Sequence, residues 1–416
     1  MRAEILAIGT ELTTGQTVDT NSPWLSQRLA EVGIPTGYHT IVPDELADIV
    51  EALHIAAGRA SLILISGGLG PTQDDLTREA LAQAAQVSLV EDPAALEHIR
   101  TFFSSRGRPM PERNRQQALR PENAELLPNP IGTAPGLFLH LSQALVFALP
   151  GVPRELQLMF QEQVRPRLLK HVGSAGVILY RKINTFGLGE SAVEEKIADL
   201  TARGRNPEVG ITVSDAVVSL RIIARYPTLA EAQAQVSATE SLIRQRLGEI
   251  VFGVEDEELE DIVVRLAQER KATLAAAESI TGGLVAHRIC RVPGASQYFR
   301  GGIVAYTEEI KHQELGIPWE MLRELGAVSA PVAQAMAEAV RRRFAADLAV
   351  ATTGFAGPTG GTPQEPIGTA YVALASQQGT EVVRHVWSGE RTEIMSRTAK
   401  LALNLLRLHL LRRPTS

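Results

Sequence analysis

Ser279 stands where an apolar run, Ala275–Ala276–Ala277, stops, and Gly282–Gly283 then open an amphipathic stretch from Leu284 to Ile289. A hydroxyl between a buried strand and a helix start lies beside N–H groups that lack intrahelical partners. It also lies at the positive end of the helix dipole, a place to hold an anion or an oxyanion. Lys311 follows thirty-two residues later, one of six lysines among 41 basic residues. A free lysine, with a pKa of about 10.4, is a poor base at neutral pH, but desolvation can bring it to about 7–8, where it takes a serine proton. Ser279, Lys311 and Tyr306 therefore suit a Ser–Lys hydrolytic centre. Tyr306 would relay the proton or orient the amine, and the N–H groups after Ser279 would supply the oxyanion hole. The same residues also suit plainer work: Ser279 as a helix cap, Lys311 as a solvated cation, Tyr306 as packing. Competing signatures are missing: there is no Gly-x-Ser-x-Gly elbow, no metalloprotease histidine pattern and no Gly–Lys pair of a Walker loop.

A second cluster is Gly67–Gly68–Leu69–Gly70–Pro71–Thr72–Gln73–Asp74–Asp75. Glycines let a backbone approach phosphate oxygens, and carboxylates are hard ligands that hold a divalent ion between protein and phosphate. Asp44, after a neighbouring strand, can join Asp74 and Asp75 at the same rim. Alternatively, Asp74 and Asp75 only cap the helix that follows.

The elements that carry these residues read as three blocks. A chain of 416 residues exceeds what one hydrophobic core supports. Residues 1–171 alternate apolar strands (Ile5–Ile8, a strand ending near Val42, Leu62–Ile65) with helices (from Ser22, Asp44–Gly58, Asp75–Ala85), which implies a parallel, doubly wound α/β sheet. Ligands on such a sheet bind at the carboxyl ends of strands, where the glycine-rich turn lies. Residues 172–254 read as a small α+β unit of split β-α-β-β-α-β order, a spacer or docking module. Residues 255–416 return to α/β, with a strand at Ile303–Tyr306, a helix from Pro331 to Ala345, a strand at Leu348–Ala351, a hairpin over Ala370–Val386 and a terminal helix.

Composition narrows the function. Apolar residues make up 44% and charged residues 21%, with a formal charge of −6, so nothing draws the chain to nucleic acid or membrane. No run approaches the ~18 apolar residues of a membrane span. Cys290 is the lone cysteine and cannot form an internal disulfide, which fits a reducing cytoplasm. Gly187–Leu188–Gly189–Glu190 is not the Gly-x-x-Gly clamp of RNA-binding KH folds.

The segments Ala277–Gly283, Gly301–Tyr306 with Lys311, and Thr353–Gly354–Phe355–Ala356–Gly357–Pro358 resemble the C-terminal domain of the CinA family. That resemblance implies deamidation of nicotinamide mononucleotide to nicotinate mononucleotide and ammonia. It implies Ser279 as nucleophile with Lys311 and Tyr306 as the base system. Thr281, Gly282, Gly283, Thr353, Gly354 and Gly357 would cradle the ligand, and Arg391 would meet its phosphate. The family often has cysteine where Ile280 stands, so a thiol there is not essential.

The glycine-rich cluster resembles the molybdopterin-binding fold. Ile8–Leu12, Asp19–Asn21, Asn129–Gly136 and Leu149–Pro153 narrow the resemblance to the CinA N-terminal branch, so that it spans most of the chain. It implies cleavage of ADP-ribose to AMP and ribose 5-phosphate with a divalent metal. Asp44, Asp74 and Asp75 are the candidate ligands. Glu11, Asn21, Gly67, Gly68, Gly70, Thr72 and Thr77 would contact substrate, Glu11 by positioning the water. It also implies a homo-oligomer, a dimer by expectation. Two other readings remain beside this bifunctional enzyme: a pterin or nucleotide carrier in the N-terminal block, and an interaction protein linked to competence or DNA damage.

Overall fold

The computed structural model describes residues 1–172 and 176–412, so the last four residues of the third block lie outside the described residues. The first block comprises β1 (Ala3–Ile8), α1 (Thr10–Thr13), α2 (Asn21–Glu31), β2 (Thr36–Val42), α3 (Leu46–Arg59), β3 (Leu62–Ser66) and α4 (Thr77–Ala84). It continues with β4 (Leu89–Glu91), α5 (Pro93–Ser104), β5 (Leu119–Pro121), β6 (Glu125–Leu127), β7 (Gly136–Leu141), β8 (Ala144–Leu149), α6 (Pro153–Met159) and α7 (Arg165–Val172). Its six-stranded sheet runs β2-β1-β3-β8-β7-β6. Strand alternation sorts the core: Ala3 and Ile5 face α2 and α6, while Leu6 and Ile8 face α3 and α4. The first four strands are parallel, as the alternation of strand and helix requires. Beyond that parallel part, β7 and β6 extend the sheet antiparallel. Only Ser142 and Gln143 separate β7 from β8, with Ser142 at φ 54°. So short a turn closes an antiparallel hairpin, never a crossover.

The second block is β9 (Val177–Phe186), α8 (Glu190–Ile197), β10 (Glu208–Ser214), β11 (Val217–Tyr226), α9 (Leu229–Leu247) and β12 (Val251–Val254), with sheet order β10-β11-β9-β12. This is the split β-α-β-β-α-β arrangement read from the sequence. By density of contacts, the chain divides into two compact units: Met1–Leu179 with Ile223–Val236, and Tyr180–Ile222 with Ser237–Ser416. Within the second unit, Phe186 and Phe252 join the core of the third block.

That block comprises α10 (Leu259–Glu269), β13 (Leu274–Glu278), α11 (Leu284–Arg291), β14 (Phe299–Val304), α12 (Glu308–Leu315), α13 (Trp319–Leu325), α14 (Ala330–Arg343), β15 (Leu348–Gly354), β16 (Thr369–Ser376), β17 (Gly379–Val386) and α15 (Arg391–Arg412). The acidic stretch at its start is a helix start: Glu258 and Asp261 form a reciprocal capping box on α10. The sheet order is β14-β13-β15-β16-β17, parallel through β15 and antiparallel beyond. Leu274 and Ala276 face α10, α11 and α15, whereas Ala275 and Ala277 face α14. Strand β14 ends at Val304, two residues short of the expected Tyr306, so that the tyrosine lies in the loop before α12. Among the described residues, no helix is long and apolar enough to cross a membrane.

Candidate active sites

In the C-terminal block, Ser279 adds one rung to the ladder beyond β13 by donating its N–H to Thr352 O at 2.9 Å. The chain then reverses through Gly282 and Gly283, both left-handed (φ 61° and 101°), and enters α11. Only glycine takes two such φ values in succession without strain. Helix α12, capped by the Thr307 hydroxyl on Ile310 N, brings Lys311 inward until it is 2% exposed. Its Nζ donates to Ser279 Oγ at 2.9 Å and to Ala305 O at 2.9 Å. Burial pulls the amine down to about 8, against a weaker upward pull from Glu308. At pH 7 about one such amine in ten is neutral, a usable fraction for a base.

Tyr306 does not join this pair. It is 54% exposed, and its hydroxyl accepts from Arg391 Nη2 at 2.6 Å. The group that orients Lys311 is the carbonyl one residue earlier, not the phenol. Arg391, the first residue of α15, also donates to Gly357 O at 2.7 Å. Ser279, Lys311, Tyr306, Thr353, Gly354 and Arg391 thus share the wall of one cavity of about 210 Å³. Pockets that take a whole drug-sized ligand run to about 300–1,000 Å³. The cavity therefore fits a ring-sized group, with the rest of a larger ligand passing the Arg391 rim. Thr353 itself is held by its hydroxyl on Ala327 O.

The turn residues have a different role from the one expected. Thr281 is 1% exposed and its hydroxyl donates to Glu278 Oε2, so it braces the turn from inside. The Glu278 carboxylate, 2% exposed, also accepts from Gly283 N, Val285 N and Ala286 N. It fills the positive end of α11, which is accordingly not open to a ligand anion. Gly282 N and Leu284 N bond to Ser279 O and Thr281 O. Among the described residues, the amides next to Ser279 left without an intramolecular partner are those of Ile280 and Thr281, which are free to donate to an incoming oxygen. Sequence reasoning passed over Glu278. A charged residue closing an apolar strand, on the parity that faces α11, was the signal.

In the N-terminal block, the glycine-rich turn lines a cavity of about 430 Å³ together with Glu11, Asp44, Asp74, Asp75 and Glu155. A Cβ on Gly67 (φ 105°) would meet Ile8 O at 2.3 Å, and one on Gly68 would meet Thr77 Oγ1 at 2.2 Å, so both must be glycine. Asp75 accepts from Gly70 N at 2.6 Å, from Thr72 N at 2.8 Å and from the Thr72 hydroxyl. Asp44 accepts from Thr10 N at 2.7 Å and donates its own N–H to Thr10 Oγ1. Both aspartates are loop braces, while Asp74 stays exposed on the cavity wall, its carboxyl held below the usual range by a hydrogen bond with Thr72. Among the described residues, no group of three or more His, Cys, Asp or Glu is gathered to hold a metal, so the three-aspartate ligand set is not assembled.

Thr77 and Asn21 also lie beneath the surface rather than on the cavity wall. Thr77 bonds to Gly67 O, and Asn21 bonds to Ser66 Oγ and Gly151 O. The loop's underside rests on Arg78, 2% exposed, which donates to Leu69 O and Gly70 O and whose pKa burial lowers to about 10. Glu155, held by Asn129 Nδ2 at 2.6 Å, was not foreseen. The missing side chain of Gly132 is what makes room for it, since a Cβ there would lie 2.2 Å from Glu155 Oε2.

Three family models match the chain in series. They are "Probable molybdopterin binding domain" over residues 4–170, "Damage-inducible protein CinA KH domain" over 180–253 and "CinA C-terminal domain" over 256–410. A CinA-like protein of Dictyoglomus thermophilum is 41% identical over 411 residues, covering 99% of this chain and 100% of that protein. A CinA-like protein of Frankia casuarinae is 43% identical over 427 positions, covering 100% and 98%. The solved competence damage-inducible protein A of Klebsiella pneumoniae is 30% identical, covering 38% of this chain and 97% of its own, at a TM-score of 0.37. Matched by three models in order and aligned end to end with these relatives, the chain belongs to the CinA family.

Proposed function

We propose that the C-terminal block hydrolyses the carboxamide of nicotinamide mononucleotide. The observation that carries this reading is the 2.9 Å contact between a buried, desolvated Lys311 and the Ser279 hydroxyl. Neutral Lys311 takes the Ser279 proton as Oγ attacks the amide carbon, and the oxyanion forms against the amides of Ile280 and Thr281. The ammonium then hands its proton to the amide nitrogen, the C–N bond breaks and ammonia leaves. A water, deprotonated by the same amine, cleaves the acyl ester to nicotinate mononucleotide and regenerates Ser279. Arg391, the guanidinium on the cavity wall, faces the substrate's phosphate. Ammonia release from the mononucleotide is the test. Full activity in Ser279→Ala, or none in the wild type, defeats the reading.

A second reading, carried by the glycine-lined cavity at the strand ends, is cleavage of the ADP-ribose diphosphate in the N-terminal block. Its wall holds five carboxylates and no lysine, arginine or histidine. A diphosphate therefore enters only with cations that offset its charge, which is what a divalent ion would supply. AMP release that is indifferent to chelator removes that ion from the reading, and no AMP under any cation leaves the carrier reading in its place.

A further inference from the structure

The second block does more than space the chain. Strands β10 and β11 are joined by Asp215 and Ala216, both at positive φ (47° and 62°). A two-residue turn of this kind normally uses glycine or asparagine, and alanine there is strained. The strain is offset by what the turn touches. The Asp215 carboxylate accepts from the Ser396 hydroxyl at 2.6 Å and from Lys400 Nζ at 2.9 Å, and Lys400 also donates to Asp215 O at 3.0 Å. Arg397 Nε lies 3.6 Å from the other carboxylate oxygen. Lys400 is only 6% exposed while the Asp215 carboxylate keeps one edge in solvent, so the ion pair is buried on the α15 side alone. Ser396 also accepts from Arg288 of α11, which pairs with Glu260 of α10. Ala216 and Val217 pack against the adjoining core.

All three partners of Asp215 lie within the first three turns of α15, the helix whose first residue is Arg391. Ser396 is five residues along, about 7.5 Å on a rigid helix. The other end of the cluster, Arg288, sits on the helix that opens just after the Ser279 turn. One carboxylate thus holds α15 directly and reaches α11 through Ser396, and it is α15 that brings Arg391 to the wall of the cavity.

We infer that Asp215 is a positioning residue. By clamping α15, the turn of the second block sets the Arg391 guanidinium where it meets the phosphate of the substrate. This rests on the deamidase reading for its substrate but not for its mechanics, and two measurements on the full chain separate the two.

Hydrogen exchange of the amides in the first turns of α15 needs no substrate. Asp215→Ala should speed it about tenfold, and unchanged exchange overturns the clamp. Kinetics then test the consequence. Asp215→Ala should raise KM for nicotinamide mononucleotide about tenfold with kcat within about twofold, while leaving kcat/KM for the phosphate-free nicotinamide riboside unchanged. Equal loss on both substrates overturns the inference, because it marks general damage. Should Asp215→Ala not fold, Ser396→Ala carries the same comparison with a KM change of about threefold. No ammonia from the wild type defeats the deamidase reading, and the exchange result still decides the clamp.

Discussion

Both candidate sites are built at the same kind of place, a glycine turn after a parallel strand, yet they come out differently. After β13 a carboxylate is buried in the turn and satisfied by backbone amides, which leaves Ser279 and Lys311 in hydrogen-bond contact in a small cavity. After β3 the carboxylates also hold the loop, but the cavity they leave is twice as large, and its acidic wall presents no lysine, arginine or histidine. The first site is assembled before any ligand arrives. On the ADP-ribose reading, the second would be completed by its ligand and the cation that offsets the ligand's charge.

The largest expected effect breaks the first site alone. Lys311→Met should lower deamidation by at least about a thousandfold, since both proton transfers lose their base, while ADP-ribose cleavage is unchanged. The same variant should melt higher, by roughly 2–4 °C, because a buried ammonium no longer has to be desolvated. If both activities fall together, the two sites are not independent.

The pH dependence follows from the lowered amine. Below about 8 Lys311 is mostly protonated and cannot take the serine proton, so kcat/KM should climb about tenfold per unit and level off above that value. The folded chain holds that proton less tightly than the unfolded one does. Stability should therefore rise between about 8 and 10.5, and a profile flat through 8 rules out the amine as base.

Bracing carboxylates should matter at both sites, but differently. Glu278→Gln presents an amide to four donors. It should lower kcat about ten- to a hundredfold, and denaturant midpoints should show a loss of about 2–3 kcal/mol. Asp75→Ala frees the glycine loop and should raise KM for ADP-ribose about tenfold with deamidation unchanged. Wild-type ADP-ribose kinetics in that variant would show that the loop keeps its shape without its brace.

The smallest change sharpens the role of Tyr306. Tyr306→Phe removes one hydrogen bond to Arg391 and should alter kcat/KM within about threefold. A hundredfold fall would return the phenol to the proton path.

The sequence by itself determined the three-block order, most of the elements and the pairing of a serine with a rare lysine. These follow from local rules, since strand alternation, helix periodicity and glycine turns are written within a few residues of one another. Even Glu278 was readable as a charge ending an apolar strand. Three things were decided only by tertiary structure. Tyr306 turned outward because β14 ended two residues early, and the aspartates after β2 and β3 became braces because the nearest amides lacked partners. The Asp215 turn reached a helix about 180 residues away in the sequence. Each of these is a choice among hydrogen-bond partners. Such a choice depends on which unsatisfied group happens to be near in space, and sequence spacing does not record that.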